Sequence, residues 1–460
     1  MRDHLYLRLA LRVTGFLERM LPDAFPFALL AMAVAVLLGA LWAGAGFWQM
    51  CDGFGKGFFS LLGFTLQMAL VIILGHVVAS AALIRRLLDR LADVPKTAKG
   101  AVVQVGFLAM LSSWLNWGFS LVFSAMLALA TARRFAARGQ AVDYRALAAA
   151  SFLGLGSIWA QGLSGSAALQ MATPGSLPPG LLGHGIPLSQ TIFLWQSLAS
   201  VVIEITVVTG LLYLVAPPEA HAVSAEALGI SLSPPNSLAL PVESLRPGEK
   251  LEHSPWLLVP FVLLSAAYLV QTLRTAPSKL EAVSLNTINL TLLLFGALLH
   301  KTPAKLQQAF AEATSAVWGV ILQFPFYGGI AGILAAAGLN TKIAGLFVGA
   351  ASQSTLPPLV AAYSALLGIF VPSGGSKWLI EAPYVLAAAE RLHVHAGWMV
   401  ATYDLGEALA NLVQPFWMLP ILGLYKLKAR DVMGYTLIVF AVLCPLVLLL
   451  TYALGLTLQG

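Results

Sequence analysis

The sequence predicts an all-α polytopic membrane protein built from two inverted-topology repeats, each holding a re-entrant hairpin and a broken helix. Three observations carry that prediction. The 460 residues are 59% hydrophobic and only 10% charged, with a mean hydropathy of +0.84. A soluble domain carries about 25% charged residues, so this composition cannot be wrapped into a water-facing surface. Long uncharged stretches are separated by short basic loops, and a span needs about 20 apolar residues, so some ten or eleven crossings fit the chain. Finally, helix-breaking clusters recur at a fixed spacing in the two halves.

Residues 1 to 21 hold Arg2, Arg8, Arg12 and Arg19 among leucines with no small-residue cleavage site after them, which reads as an interfacial helix and not a signal peptide. Uncharged segments then follow at 24–46, 57–84, 100–132, 146–173, 189–216, 256–273, 282–300, 313–337, 343–389, 396–425 and 432–456. Two exceed one crossing and carry breakers near the middle, Asn116-Trp117-Gly118 and Pro372-Ser373-Gly374-Gly375. If both are hairpins returning to the side they entered, and the N-terminus is cytoplasmic, 20 of the 26 Lys and Arg fall inside and 5 outside, with Lys377 in the second hairpin. As simple spans they would give 15 inside and 10 outside, with Arg133, Arg134, Arg138 and Arg145 on the wrong side. The bias of basic residues toward the cytoplasm favours the hairpins.

Residues 217–254 combine four proline sites with Glu219, Glu226, Glu243, Glu249 and Glu252, the composition of a cytoplasmic linker. The expected organisation is therefore a first repeat over 1–216, the linker, and a second repeat over 255–460. At an offset of 256, Leu66-Gln67 falls on Leu322-Gln323 and Asn116-Trp117-Gly118 on Pro372-Ser373-Gly374; at 241, Gly165, Ala167 and Pro174 fall on Gly406, Ala408 and Pro415. Five crossings separate corresponding elements, and an odd number inverts the second copy. Inverted repeats with broken helices meeting near the midplane are the architecture of secondary transporters, which places transport ahead of catalysis.

Few ionisable groups are left in apolar segments: His76, Glu204, Lys377, Glu381, Asp404 and Glu407. Such groups cost about 2.5–3.5 kcal/mol at the bilayer centre on insertion scales, so they face a cavity, a partner or a proton path. Glu204, alone near a helix end, reads as a packing residue. His76 suits either an interhelical hydrogen bond or transport. Lys377 can pair with Glu381 four residues on or offset substrate charge. Glu407 shares a helix face with Asn411, which makes it the better candidate for a proton or cation.

Where tips and breaks converge, the first half offers Ser112, Ser113, Asn116, Gly118, Ser164, Gly165, Ser166 and Thr173, and the second Ser373, Gly374, Gly375, Ser376, Asn411 and Gln414. Glycines let backbone amides approach a ligand and broken-helix N-termini carry partial positive charge, which suits a small carboxylate. Hydroxyl and amide oxygens suit a coupling cation equally, with Glu407, Asn116, Ser373 and Asn411 as its expected ligands or proton sites. Trp117, Phe119, Phe324, Phe326, Tyr327, Trp378, Phe416 and Trp417 stand beside the breaks as candidate walls for a short acyl chain. Cys51 and Cys444 show no metal-ligand spacing, and neither a metal nor a cofactor is expected apart from a coupling Na+ or H+.

At these positions the chain resembles the bacterial short-chain fatty acid transporter family. The shared blocks include Leu21-Pro22-Asp23, Gln67-Met68-Ala69-Leu70, Gly75-His76, Asn116-Trp117-Gly118-Phe119, Ala172-Thr173-Pro174-Gly175, His300-Lys301-Thr302-Pro303, Gln323-Phe324-Pro325-Phe326-Tyr327, Val371-Pro372-Ser373-Gly374-Gly375, Gly406-Glu407, Gln414-Pro415-Phe416-Trp417 and Arg430-Asp431-Val432-Met433-Gly434-Tyr435. The resemblance implies a multi-pass carrier of the bacterial inner membrane that takes up short monocarboxylates such as butyrate or acetoacetate with a cation. It also implies paired hairpins of the broader ion-transporter superfamily, in which homodimers are common. Three positions depart from the family pattern: Ser376-Lys377 where a third glycine and a histidine are expected, and Glu381 where a glutamine is expected. The rival readings are an ion or oxyanion antiporter and a sodium-dicarboxylate symporter of the same superfamily. A membrane enzyme is disfavoured because neither HExxH nor GxSxG is present, and nothing points to nucleic acid.

Overall fold

A computed structural model describes residues 24–173, 185–232, 246–276, 282–314, 317–370, 374–414 and 416–458; the basic N-terminal segment 1–21 and linker residues 233–245 lie outside this set. Among the described residues the regular structure is helical, and eight helices are long and apolar enough to cross a membrane. Helices satisfy their own backbone hydrogen bonds, the condition for standing in lipid.

The first half runs α1 (Ala24–Leu38), α2 (Phe47–Phe58), α3 (Leu62–Ala79), α4 (Ala82–Asp93), α5 (Ala98–Leu115), α6 (Trp117–Ala137), α7 (Tyr144–Leu153), α8 (Ser166–Ala172) and α9 (Trp195–Val215). The short α10 (Pro247–Glu252) and the peripheral α11 (Val259–Thr275) connect to α12 (Leu285–His300), α13 (Pro303–Thr314), α14 (Trp318–Ala336) and α15 (Leu339–Ala350). The chain ends with α16 (Leu356–Phe370), α17 (Gly374–Arg391), α18 (Ala396–Ala410), α19 (Leu419–Tyr425) and α20 (Ala429–Gly455).

Adding 256 to the bounds of α2 lands on those of α13, and the same shift brings α3 to α14, α4 to α15, α5 to α16 and α6 to α17 within two residues at each end. Packing repeats with the elements. Where α2 packs on α14, α13 packs on α3; α3–α6 answers α14–α17, α4–α6 answers α15–α17, and α5–α7 answers α16–α18. The 241 offset does not survive. The first broken helix opens at Gly162–Gly165 and the second at Asn411–Gln414, whereas Gly406 is mid-helix, pressed against the Ala361 backbone. Gly406 serves close helix packing, and a glycine spacing alone cannot distinguish that role from a break.

The helices on either side of each breaker are held together at their far ends. Asp93 pairs with Arg134 at 2.5 Å and Arg138 at 3.0 Å, and Arg138 also donates to the Pro95 carbonyl, so the base of α6 returns to the base of α5. Gln353 likewise donates to the His393 carbonyl at 2.8 Å, closing the base of the α16–α17 pair. This second hairpin is shorter than the apolar run from 343 to 389, because α15 is a separate helix before it. The run 57–84 also divides. Its crossing helix is α3, and Arg85, Arg86 and Arg90 ride on the separate α4, which buries Leu88 and Ala92 and turns its charges outward. The start of the linker folds back on the loop before α7, where Asp143 accepts from Val223 N–H and Tyr144 N–H donates to the Val223 carbonyl.

Burial separates centre from rim. The broken helix over 144–172 is 94% buried in its apolar window and the segment holding α11 only 6%, so the broken helix is the axis of the bundle and α11 its outer face.

Candidate functional site

Asn116 makes the first tip. It is extended (φ −158°, ψ 122°), ending α5 and starting α6, and its Oδ1 accepts from Phe119 N–H at 2.7 Å as a helix N-cap. The tip is tied to the first break, because Trp117 N–H donates to Ser164 Oγ at 2.9 Å and Leu163 N–H to the Trp114 carbonyl at 2.7 Å. Gly75 of α3 lies against it so closely that a Cβ there would stand 2.5 Å from Phe119 N and 2.7 Å from the Gly118 carbonyl carbon.

The second tip is held by its glycine carbonyls. Tyr403 of α18 donates to the Gly374 carbonyl at 2.5 Å, and Gln170 Nε2 of α8 to the Gly375 carbonyl at 2.7 Å. At the second break Asn411 Nδ2 donates to the Leu155 carbonyl at 3.0 Å, and its Oδ1 accepts from Gln414 Nε2 at 2.7 Å. Leu155 belongs to a π-helical turn, Gly154–Ile158, that continues α7 toward the first break. The two broken helices are thus bonded to each other where each loses helical geometry.

A cavity lies at this junction. Met68 and Ile72 of α3 with Val320 and Phe324 of α14 form an apolar wall, and Met68 and Phe324 are related by the 256-residue shift. Trp117, Trp159 and Trp417 close it with indole rings; Ser166, Gly374, Gly375 and Asn411 supply the polar part. The indole N–H groups of Trp117 and Trp159 and Asn116 Nδ2 are buried with no acceptor among the described residues. Donors in such surroundings are costly unless satisfied, and they mark where an acceptor belongs.

Of the residues singled out in the sequence, Ser166, Gly374, Gly375 and Asn411 therefore line the cavity, as do the aromatics Trp117, Phe324 and Trp417. Asn116, Gly118, Ser164 and Gln414 stand behind it and fix the tips and breaks. Ser112 bonds Ser120 within the first hairpin, and Ser113 is buried there. Thr173 is buried at the far end of α8, away from the lining. Ser373 and the side chains of Ser376 and Phe416 fall outside the described residues. Phe119 stacks on Phe123, Phe326 packs between Phe25 and Phe58, Tyr327 is buried in the core, and Trp378 stacks on Tyr403; these four are packing aromatics. Glu204 accepts from Gln161 Nε2 at 2.9 Å and serves helix packing.

Beside the cavity lies a buried charge cluster. Lys377 Nζ is 2.5 Å from Glu407 Oε2 and 3.4 Å from Glu381 Oε1, and it donates to the Ser364 carbonyl at 2.7 Å. Its nearer partner is not the i, i+4 neighbour but a residue on the adjacent helix. Ser364 Oγ donates to Glu381 Oε2 at 2.8 Å. Asp404 lies near the amides of Ala167 and Ala168, although neither of its oxygens makes a well-formed hydrogen bond. A Cβ on Gly374, which lines the cavity, would meet Glu407 Cγ at 3.1 Å and the Trp159 ring at 2.7 Å, so the stem of Glu407 lies against the Gly374 backbone.

A family described as short chain fatty acid transporter matches residues 5–455. The chain belongs to this family. Two relatives, one from Escherichia coli (strain K12) and one from Haemophilus influenzae, both provisionally named short-chain fatty acid transporters, are 35% and 31% identical. The alignments cover 93% and 96% of this chain, and 95% and 98% of theirs. The fold is that of the Alcanivorax borkumensis YdaH transporter, reported to have an unusual topology (TM-score 0.55, 17% identity, 93% of this chain and 98% of that one). It is equally that of MtrF from Neisseria gonorrhoeae, one of a class of antimetabolite efflux pumps (TM-score 0.56, 16% identity, 96% and 97%). Membership in the short-chain fatty acid transporter family makes the chain a multi-pass membrane protein, as its composition requires.

Proposed function

We propose that the protein is a secondary carrier that takes up short monocarboxylates together with a cation, and that the cavity between the two tips and the two breaks is its substrate site. One observation carries this reading: Trp117 and Trp159, whose buried indole N–H groups have no acceptor among the described residues, line the same cavity as Met68, Ile72, Val320 and Phe324. The donors suit a carboxylate and the wall a short acyl chain, the mix of few polar groups and apolar lining that small-molecule sites use. A dicarboxylate would place its second charge on the apolar wall, which disfavours that rival.

In this reading the two halves, 1–216 and 255–460 joined by a cytoplasmic linker, are inverted repeats. Their hairpins reach the cavity from opposite sides of the bacterial inner membrane, with the N-terminus cytoplasmic. The repeat-related packing supports two similar units that rock about one site. The test is uptake of radiolabelled butyrate or acetoacetate into proteoliposomes under imposed proton or sodium gradients. Gradient-stimulated, saturable uptake is expected; no stimulated uptake of any short acid would refute the reading.

A further inference from the structure

The coupling ion can be read from how three of the four candidate cation ligands are already engaged, the fourth, Ser373, lying outside the described residues. Asn116 Oδ1 accepts from Phe119 N–H, Asn411 Oδ1 accepts from Gln414 Nε2, and Glu407 Oε2 faces Lys377 Nζ. The two amide oxygens are taken by protein N–H groups and the Glu407 oxygen by ion-pair contact with an ammonium, whereas a hard metal cation needs several oxygens turned toward itself. The position a cation would take beside Glu407 is filled by Lys377, whose ammonium sits among Glu407, Glu381 and the Ser364 carbonyl and over the Tyr403 ring at 4.8 Å. A metal ion there would meet like charge.

The groups facing Glu407 are Lys377 and Glu381 from α17, Tyr327 from α14, and Asp404 and Tyr403 from its own helix; Tyr363 and Tyr384 face Glu381. One ammonium is thus buried with three carboxyl groups. Uncompensated buried charge is costly, so a neutral cluster holds two protons among those carboxyls, and its proton count is free to change when the ammonium finds another partner. Gly374, which lines the substrate cavity, lies against the stem of Glu407.

We propose that the protein is a sodium-independent proton symporter in which Lys377 acts as a tethered cation, exchanging Glu407 for the substrate carboxylate when Glu407 accepts the coupling proton. The proposal rests on the monocarboxylate reading above. The proton adds to the Glu407 carboxylate and neutralises it, and the ammonium then compensates the incoming carboxylate. On release the proton leaves Glu407 and the ion pair re-forms. One anion and one proton cross, with no net charge moved.

The experiment uses the purified full-length protein in proteoliposomes with radiolabelled butyrate. A proton gradient of one pH unit should drive about tenfold accumulation for one-to-one coupling, while a sodium gradient should change uptake less than twofold. Glu407→Gln should lose the proton-driven accumulation, retain measurable exchange of labelled for unlabelled butyrate, and respond to an inside-positive potential, because the anion then enters without its proton. Lys377→Gln should lose exchange. If either single variant does not fold, the charge-neutral pair Lys377→Gln with Glu407→Gln should still show no proton-driven accumulation. Sodium-driven uptake by the wild type, or proton-driven accumulation in a variant lacking Glu407, would overturn the proposal alone. Absence of butyrate exchange in the wild type would overturn it together with the monocarboxylate reading.

Discussion

Gly75→Ala tests whether the first tip must sit flush against α3. The added methyl would stand 2.5 Å from Phe119 N, 2.7 Å from the Gly118 carbonyl carbon and 2.9 Å from Asn116 Oδ1. The first two are backbone atoms and the third is the cap of α6, so none can swing aside. Restoring ordinary contact near 3.4 Å requires a displacement of about 0.9 Å between α3 and the tip. Overpacking of this kind costs about 1–3 kcal/mol. The strain reaches the cavity directly, because Ile72 lies one turn away on α3 and packs against Gly118. Butyrate uptake should therefore show KM raised by about 5- to 150-fold, with a lowered melting temperature. Gly63→Ala is the control: it is on the same helix with nothing within 4 Å of its added Cβ, and it should be neutral or slightly stabilising. Kinetics and melting of Gly75→Ala indistinguishable from those of Gly63→Ala would refute the close approach.

Asn116→Ala removes a cap worth about 1 kcal/mol and should weaken uptake without preventing insertion, while Asn116→Asp keeps the acceptor and should melt as the wild type does; equal melting of both variants would count against the cap. Glu204→Gln preserves the buried contact with Gln161 and should transport at wild-type rate, whereas loss of transport with normal melting would give Glu204 a part in coupling. His395, in the loop before α18, accepts from Trp398 N–H through Nδ1, and burial holds its pKa below the usual 6.5. As pH falls below about 6.5 the unfolded chain protonates first, so the stability from this cap is complete above that value and is lost as pH drops through the lowered native one. Melting between pH 8 and 5 should therefore slope downward in the wild type and less in His395→Asn, which keeps an acceptor that does not titrate.

The side-by-side pairing of α5 and α6 was legible because charge and breaker agree. The cluster from Arg133 to Arg145 demanded the side occupied by Asp93 and Lys96, and the ion pairs from Arg134 and Arg138 to Asp93 are the physical form of that demand. The first tip was legible from Asn116, a residue that favours helix N-caps, and the start of α17 from the Gly374-Gly375 pair. The cavity wall was not. Met68, Ile72 and Val320 have the same apolar character as residues facing lipid, and only packing reveals which side of a helix they occupy. Trp159 was hidden because the π-helical turn before it shifts the helical phase. Lys377 does pair with Glu381 as local spacing suggests, but its nearer partner Glu407 was not legible, because the adjacent helix brings it in across 30 residues of sequence. Gln170 and Tyr403, which hold the second tip, act through contacts that no short motif records.

Substrate protection at the cavity tests the central claim most directly. In a protein with Cys51 and Cys444 replaced by serine, Ser166→Cys places a thiol of nearly the same size on the lining. A membrane-impermeant thiol reagent should modify it from either face of the membrane as the two states alternate, and butyrate should slow modification from both faces. Modification from one face only, or at a rate that saturating butyrate leaves unchanged from both, would contradict an alternating-access site at this cavity.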